Sequence, residues 1–138
     1  MAKLTKQQEA TILYGPATPD KLICTVRATL NLLGGKWKLL ILASLLDGAR
    51  RYGELRRLMP EITEKMLIQE LRELEADGLV VRTVHQQVPP KVEYALIGPG
   101  EQVRPVLLAL LGWGTDYLRQ RPGVGMPAAA GMMTGAAA

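Results

Sequence analysis

The sequence predicts a mainly α-helical domain that carries one small β-hairpin. In the middle of the 138-residue chain, leucines recur at the spacing of amphipathic helices. Two runs rich in β-forming residues, Leu79–His85 and Val92–Ile97, follow these helices and flank a linker that contains two prolines. Proline cannot continue a strand ladder, so this pattern is typical of a hairpin with a protruding loop.

The chain divides by composition into three regions. Residues 1–20 are polar and contain two proline breaks, which predicts a flexible N-terminal arm with room for one short helix, Thr5–Leu13. Residues 21–121 hold the periodic segments and are predicted to form the folded domain with its terminal helix. Residues 122–138 consist mostly of Gly, Ala and Pro, a composition that predicts a disordered tail because it offers few side chains to bury.

Two helices open the predicted domain. Cys24–Leu33 has apolar residues at helical spacing, and the glycine pair that follows it predicts its end. Trp37–Leu46 is apolar on nearly every face, which predicts a central, buried helix. Asp47-Gly48 ends that helix, and we expect a short extended piece over Ala49–Arg51.

A helix, a turn and a second helix come next. Tyr52–Met59 predicts a short helix, and Pro60 favours a turn because it disfavours helical geometry in the residue before it. Thr63 is placed to cap the next helix, Thr63–Asp77, and Gly78 to end it in a left-handed conformation. The stripe predicted to be buried in this second helix consists of Leu67, Leu71 and Leu74.

The last predicted helix, Gly100–Leu118, has more apolar surface than one small core requires. Pro105 lies inside this segment, so the helix either starts late or kinks there. A helix packed on one core needs only a stripe of apolar residues, and an identical partner is the simplest cover for the surplus. The alternative is a central helix of a monomer. The predicted dimerisation residues are Leu107, Leu108, Leu111, Trp113 and Leu118.

This order of elements is that of a winged helix-turn-helix, in which the second helix enters the DNA major groove. Opposite its leucines, Thr63–Asp77 presents Lys65, Gln69 and Arg72. Glutamine pairs with adenine and arginine with guanine through two hydrogen bonds each, and Thr63 with the helix N-terminus can hold a phosphate. The alternative for this face is an ordinary solvated helix surface.

The hairpin and its surroundings supply further candidate DNA contacts. A positive, protruding loop can reach a phosphate or the minor groove, although an ordinary surface hairpin has the same pattern. The predicted wing contacts are Arg82, Gln86, Gln87 and Lys91. Arg51 is predicted to contact the DNA backbone. Other basic residues that could do so are Lys36, Lys38, Arg50, Arg56 and Arg57.

Charge and cysteine usage restrict the possible classes of protein. The net charge of +4 and the isoelectric point near 9.4 permit an anionic partner such as double-stranded DNA. The single cysteine, Cys24, excludes an internal disulfide, and no cysteine–histidine cluster predicts a metal site. The apolar runs are too short to cross a bilayer, and the N-terminus lacks a signal-peptide core. We therefore expect a cytoplasmic protein with no membrane segment, no cofactor and no enzymatic activity.

Several linked motifs resemble those of HxlR-type regulators over about residues 21–120. The matching segments are CTVRATLNLLGGKWKLLIL, the helix-turn-helix RRYGELRRLMPEITEKMLIQELRELEADGLVVR, the wing VHQQVPPKVEYALIGPG and the closing LLALLGWG. The resemblance implies a dimeric cytoplasmic transcription factor, either repressor or activator. Thr25 replaces a usual proline, Tyr52 a common phenylalanine, and His85 a frequent tyrosine.

The resemblance also implies a sensor cysteine in some members, and Cys24 stands at that position. A thiol near a helix N-terminus, with Lys21 and Arg27 close in sequence, is stabilised as a thiolate. The alternative is a small buried core thiol.

Our leading interpretation is a sequence-specific transcriptional regulator that binds a palindromic operator as a homodimer.

Three alternatives to this function stay open. One is a redox or electrophile sensor that acts through Cys24. Another is a regulator that responds to a small apolar effector, with Trp37, Met66 and Trp113 lining the pocket. The last is a winged-helix module that only contacts other proteins.

Overall fold

The computed structural model describes residues 2–121 and 123. The chain divides into two compact units, the first ending at Gly35 and the second beginning at Lys36. The helices are α1 (Lys6–Tyr14), α2 (Pro19–Leu33), α3 (Lys38–Ser44), α4 (Tyr52–Leu58), α5 (Glu64–Ala76) and α6 (Arg104–Arg119). The strands are β1 (Arg50–Arg51), β2 (Val80–His85) and β3 (Lys91–Leu96). The predicted tail, 122–138, lies outside the described residues except for Gly123.

The first unit contains α1 and α2. Within the segment expected to be an arm, α1 forms a helix, and Thr5 caps it in a reciprocal capping box with Gln8. The predicted start of α2 at Cys24 is wrong, because the helix begins five residues earlier. Thr18 caps it by accepting a hydrogen bond from the Lys21 backbone N–H, and Pro19 stands in its first turn, where its restricted φ suits a helix.

The core of the second unit lies between α3, α4 and α5. Leu67, Leu71 and Leu74 of α5 are buried, which confirms the predicted stripe. From α3 and α4 they are joined by Ile41, Leu42 and Leu55. The expectation that α3 would be buried on nearly every face is wrong, since Leu40 is 45% exposed. A helix this short packs one side against its neighbours, and the other side stays open to solvent.

The ends of α5 follow the sequence prediction closely. The Thr63 hydroxyl oxygen accepts a hydrogen bond of 3.1 Å from the Met66 backbone N–H, which stabilises the helix start. Ile62 and Leu67 flank this cap and are both buried, as a hydrophobic staple requires. Gly78 ends the segment at φ 74°, a left-handed conformation that glycine adopts without steric cost.

The hairpin is confirmed, and it belongs to a three-stranded antiparallel sheet. β2 pairs with β3 so that Val80 lies opposite Leu96 and His85 opposite Lys91. On the other side of β3, β1 pairs with it through Arg50 opposite Tyr94. The predicted extended piece before α4 is therefore an edge strand. The mainly helical fold with a hairpin wing is confirmed.

The connection from the sheet to α6 is a 3-10 helix, Gly98–Val103. α6 then begins at Arg104 with Pro105 in its first turn, so the helix starts late and does not kink at the proline. The Arg104 guanidinium donates to the Leu46 carbonyl oxygen at 2.7 Å, which joins the start of α6 to the segment after α3. Gly100 is buried, and a Cβ built on it would lie 1.9 Å from the Leu79 carbonyl oxygen.

Replacing Gly100 by alanine is predicted to destabilise the protein by about 1–3 kcal/mol, because the added methyl group requires backbone movement at Leu79. Chemical denaturation measures this change. Gly53→Ala is the matched control: a Cβ there meets nothing within 4 Å, and alanine is the better helix former. We expect that variant to be as stable as the unmodified protein or more so, and equal losses in both variants would contradict the prediction.

Candidate nucleic-acid interface

The outward face of α5 presents polar side chains along one side of the helix. Lys65, Gln69 and Arg72 are all exposed, at spacings of four and three residues that place them on neighbouring turns. The buried leucines hold the opposite face against the core. Thr63 is exposed at the N-terminal end of α5, and its hydroxyl is engaged in the helix cap. The structure thus places three of the four residues predicted on this helix on one face, and Thr63 at the helix start.

Two acidic residues of α5, Glu70 and Glu73, are turned toward α3 and meet Lys38 there. The Lys38 Nζ lies 3.0 Å from a Glu73 carboxylate oxygen and 4.0 Å from one of Glu70. The Lys38 side chain is only 13% exposed and its charge is paired, so it offers little surface to a DNA backbone. Its ammonium group instead compensates two carboxylates at the side of α5.

The pKa values of this cluster are shifted in directions that follow from its geometry. The hydrogen bond with Glu73 raises the pKa of Lys38, and the same bond lowers the pKa of Glu73. Burial raises the pKa of Glu70, and the nearby Lys38 ammonium opposes that shift. Lys38 and Glu73 are therefore held in their charged forms near neutral pH.

Sequence reasoning missed a further contact of Glu73. The Gln69 amide nitrogen donates to a Glu73 carboxylate oxygen at 3.2 Å. The i, i+4 spacing of these two residues was the available signal, since side chains four apart on a helix are neighbours. The sequence contained no comparable signal for Lys38, which comes from a separate helix.

The wing carries exposed side chains and one internal charge cluster. Arg82 on β2 is exposed, and so are Gln86 and Gln87 in the loop. Lys91 is partly buried, because its Nζ lies 2.8 Å from a Glu93 carboxylate oxygen that also lies 2.9 Å from the His85 Nε2. The pKa of Glu93 is lowered, mainly by the hydrogen bond that it accepts from Lys91. Lys91 is thus partly neutralised within the wing.

The basic residues around β1 have different surroundings. Arg51 is exposed, and its backbone N–H donates to Glu54 at 3.0 Å. Arg50 is directed inward, where its Nε donates to the Ser44 carbonyl oxygen at 2.6 Å. Arg51 therefore presents its charge to the outside, whereas Arg50 connects β1 to the end of α3.

α6 has no buried residue in the described chain. Leu108, Leu111 and Trp113 are 52%, 58% and 67% exposed, while Leu107 and Leu118 are partly covered. These values contradict the alternative in which α6 is the central helix of a monomer. The structure leaves a large apolar surface along this helix.

Cys24 is exposed, which contradicts the alternative of a buried core thiol. The predicted position of this thiol near a helix N-terminus is also wrong. Since α2 begins at Pro19, Cys24 is its sixth residue, and the effect of the helix dipole falls off within the first turn. Met66 and Trp113 are exposed as well, by 41% and 67%, so they do not close an apolar pocket within one chain.

Two further results concern the described residues as a whole. None of the described helices is long and apolar enough to cross a membrane. Over residues 2–121 and 123, no group of three or more His, Cys, Asp or Glu side chains is arranged to hold a metal ion.

Comparisons with known proteins agree with this architecture. The model of the HxlR-like helix-turn-helix family matches residues 32–122. Two similar chains are the uncharacterized HTH-type transcriptional regulators YdeP and YtcD of Bacillus subtilis (strain 168). YdeP is 50% identical over 94 residues, covering 68% of this chain and 73% of its own. YtcD is 52% identical over 96 residues, covering 70% and 76%.

A similar solved structure is that of the redox regulator HypR in its oxidized form. It is 48% identical in sequence and superposes with a TM-score of 0.65, covering 67% of this chain and 96% of that chain. The range matched by the family model, residues 32–122, includes the helix-turn-helix and the wing that form the candidate interface.

Proposed function

This chain belongs to the HxlR-like helix-turn-helix family of DNA-binding transcriptional regulators, and from that premise we propose that it binds a palindromic operator as a homodimer. The observation that carries the proposal is the orientation of α5. Its leucines are buried, while Lys65, Gln69 and Arg72 point into solvent with no other part of the described chain over them. A helix in this state fits a major groove, where glutamine and arginine read base edges.

The other predicted contacts act on the DNA backbone and the adjacent groove. Arg82, Gln86 and Gln87 are exposed on the wing, where they can reach a phosphate or the minor groove. Arg51 and Thr63 lie at the starts of α4 and α5 and contact phosphates. Lys91 contributes less to DNA binding than an unpaired lysine would, because its ammonium group is already paired with Glu93.

Dimerisation follows from the apolar surface of α6. The predicted interface residues, Leu107, Leu108, Leu111, Trp113 and Leu118, all retain solvent exposure in the single chain. An exposed apolar patch of this kind is normally covered by a partner, and a second copy forms a closed, twofold-symmetric contact. Two copies present two α5 helices to half-sites about one DNA turn apart.

The same observations favour a DNA-binding regulator over an enzyme. The only histidine, His85, lies on the wing and is engaged with Glu93. The candidate interface consists of exposed cationic and amide side chains on a convex helix, which suits a nucleic acid and not an enclosed substrate.

Selection of bound sequences from a random DNA pool is expected to return a palindrome with two half-sites, and binding to it is expected to weaken steeply with salt. Arg72→Ala is predicted to lose about 1–3 kcal/mol of binding free energy and to relax base choice at one position of each half-site. Lys6→Ala, which removes an exposed positive charge on α1, is the control, and we expect it to bind the operator as the unmodified protein does. An equal loss on every DNA sequence would make Arg72 a backbone contact, and salt-independent or absent binding would contradict DNA recognition.

Leu111→Asp is predicted to weaken self-association by about 30-fold or more, as expected when a charge replaces an anchor in an apolar interface. Sedimentation velocity over a range of protein concentrations measures this change. Val84→Asp introduces the same charge at a side chain that is 50% exposed on β2, and we expect it to leave self-association unchanged. A monomeric unmodified protein at micromolar concentration would contradict the dimer.

A second candidate function is thiol-dependent control of DNA binding. Cys24 is exposed on α2, and the similar protein HypR is a redox regulator by its name. An accessible thiol can form a disulfide with a second copy or take a reversible adduct. The observation that favours this function is the exposure of the sulfur and not its position relative to the helix dipole.

Diamide is predicted to change the operator affinity of the unmodified protein by roughly 5- to 150-fold, the usual range of coupling between two sites. Because Cys24 is the only cysteine, Cys24→Ser removes every thiol, and we expect its affinity to be unaffected by the reagent. Binding titrations with and without diamide measure the operator affinity of both proteins. The same response in both proteins would show that Cys24 is not the switch.

A further inference from the structure

A chain of two contacts connects the partly buried Lys38 of α3 to the exposed face of α5 through Glu73. The Lys38 Nζ on α3 lies 3.0 Å from one carboxylate oxygen of Glu73. The other carboxylate oxygen of Glu73 accepts the hydrogen bond of 3.2 Å from the Gln69 amide nitrogen. The Lys38 ammonium group and the outward-facing Gln69 amide therefore both bind the Glu73 carboxylate.

The inner end of this chain is well anchored. The Lys38 side chain is 13% exposed and lies between the carboxylates of Glu70 and Glu73. α3 itself is held by Ile41 and Leu42, both fully buried. The Lys38 ammonium group is thus in a defined place, and it orients the Glu73 carboxylate next to it.

The outer end of the chain restricts the Gln69 amide. An ionised carboxylate only accepts hydrogen bonds, so it selects the amide orientation that directs the nitrogen toward Glu73. The amide oxygen and the second N–H are then left for another partner. Without Glu73, the terminal torsion of glutamine is broad, and both amide orientations become accessible.

This orientation suits one base better than another. Adenine offers an N6 amino donor beside the N7 acceptor in the major groove, and it pairs with an amide that presents an oxygen beside an N–H. Guanine offers two acceptors, O6 and N7, and the outward amide oxygen finds no donor there. An oriented Gln69 therefore discriminates adenine from guanine more strongly than a freely rotating one.

We propose that Lys38 and Glu73 are positioning residues that orient the Gln69 amide and thereby set the preference of α5 for adenine at one position of each half-site. The inference rests on the proposed binding of α5 in the major groove. Neither Lys38 nor Glu73 contacts the base in this arrangement. A purely structural ion pair between α3 and α5 is the competing explanation, and it predicts changes in stability without changes in base choice.

The test measures the ratio of affinities for two operators that differ only by adenine or guanine at the position whose preference Gln69→Ala removes. The ratio for one protein cancels its active fraction and any uniform effect of charge. The variants are Gln69→Ala, Glu73→Ala, Glu73→Gln, Lys38→Met and the double variant Gln69→Ala with Glu73→Ala. Glu75→Ala, at an exposed acidic residue of the same helix, is the matched control.

We expect the unmodified protein to prefer adenine by about 10-fold or more, the size of one good bidentate contact. Glu73→Ala is expected to lower this ratio about threefold or more, with a smaller decrease in Lys38→Met. Glu73→Gln is expected to lower the ratio as well, because the new amide can donate as well as accept and its oxygen is attracted to the Lys38 ammonium group. Glu75→Ala is expected to keep all of the preference, and the double variant is expected to match Gln69→Ala.

Three results overturn the inference while leaving DNA recognition intact. In the first, Gln69→Ala changes base preference at no position. In the second, Glu73→Ala leaves the ratio unchanged. In the third, Glu73→Ala lowers the ratio equally with and without Gln69, which a general disturbance of the helix would cause. Failure of the proposed function is distinct, because the unmodified protein would then show no salt-dependent operator binding at all.

Discussion

The burial of one leucine stripe on α5 is the constraint on which the rest of the structure depends. Leu67, Leu71 and Leu74 are excluded from water, and their contacts determine both the depth and the rotation of the helix. In an α-helix, a turn of about 100° per residue separates neighbouring side chains. Fixing the inward face therefore also fixes which side chains face outward, so the orientation of Lys65, Gln69 and Arg72 is a consequence of core packing.

Electrostatics then adjusts the face that packing has exposed. α5 carries several acidic residues that would oppose a polyanion if they all pointed outward. Glu70 and Glu73 are instead turned toward Lys38, whose ammonium group compensates them at the side of the helix. On the wing, Glu93 has the opposite effect, because it pairs with Lys91 and reduces the charge available there. The distribution of the charges thus matters more for binding than the net charge of +4.

The helices differ in how much apolar surface they leave exposed. The leucines of α5 are buried in the core, whereas α6 retains exposed leucines and Trp113 along its length. In the first unit, Leu22, Ile23 and Val26 of α2 are about half exposed around Cys24. Surfaces of this kind are where association with a second copy gains free energy from burial. Any chemistry at Cys24 takes place beside such a surface.

The sequence by itself determined the features that depend on neighbours along the chain. The cap at Thr63, the left-handed Gly78, the leucine stripe and the hairpin all follow from local periodicity and backbone stereochemistry. The earlier start of α2 was readable too, because Thr18, Pro19 and Asp20 form a regular helix start that the apolar spacing of Cys24–Leu33 concealed.

Only the tertiary structure decided which distant residues meet. The pairing of β1 with β3 and the inward turn of Lys38 join segments that are far apart in sequence. Neither periodicity nor charge pattern encodes such a contact, because a lysine on a short helix has the same local signature whether it faces solvent or a carboxylate. Its partner is selected when the core closes and brings α3 against α5, and this step also creates the link from Lys38 through Glu73 to Gln69.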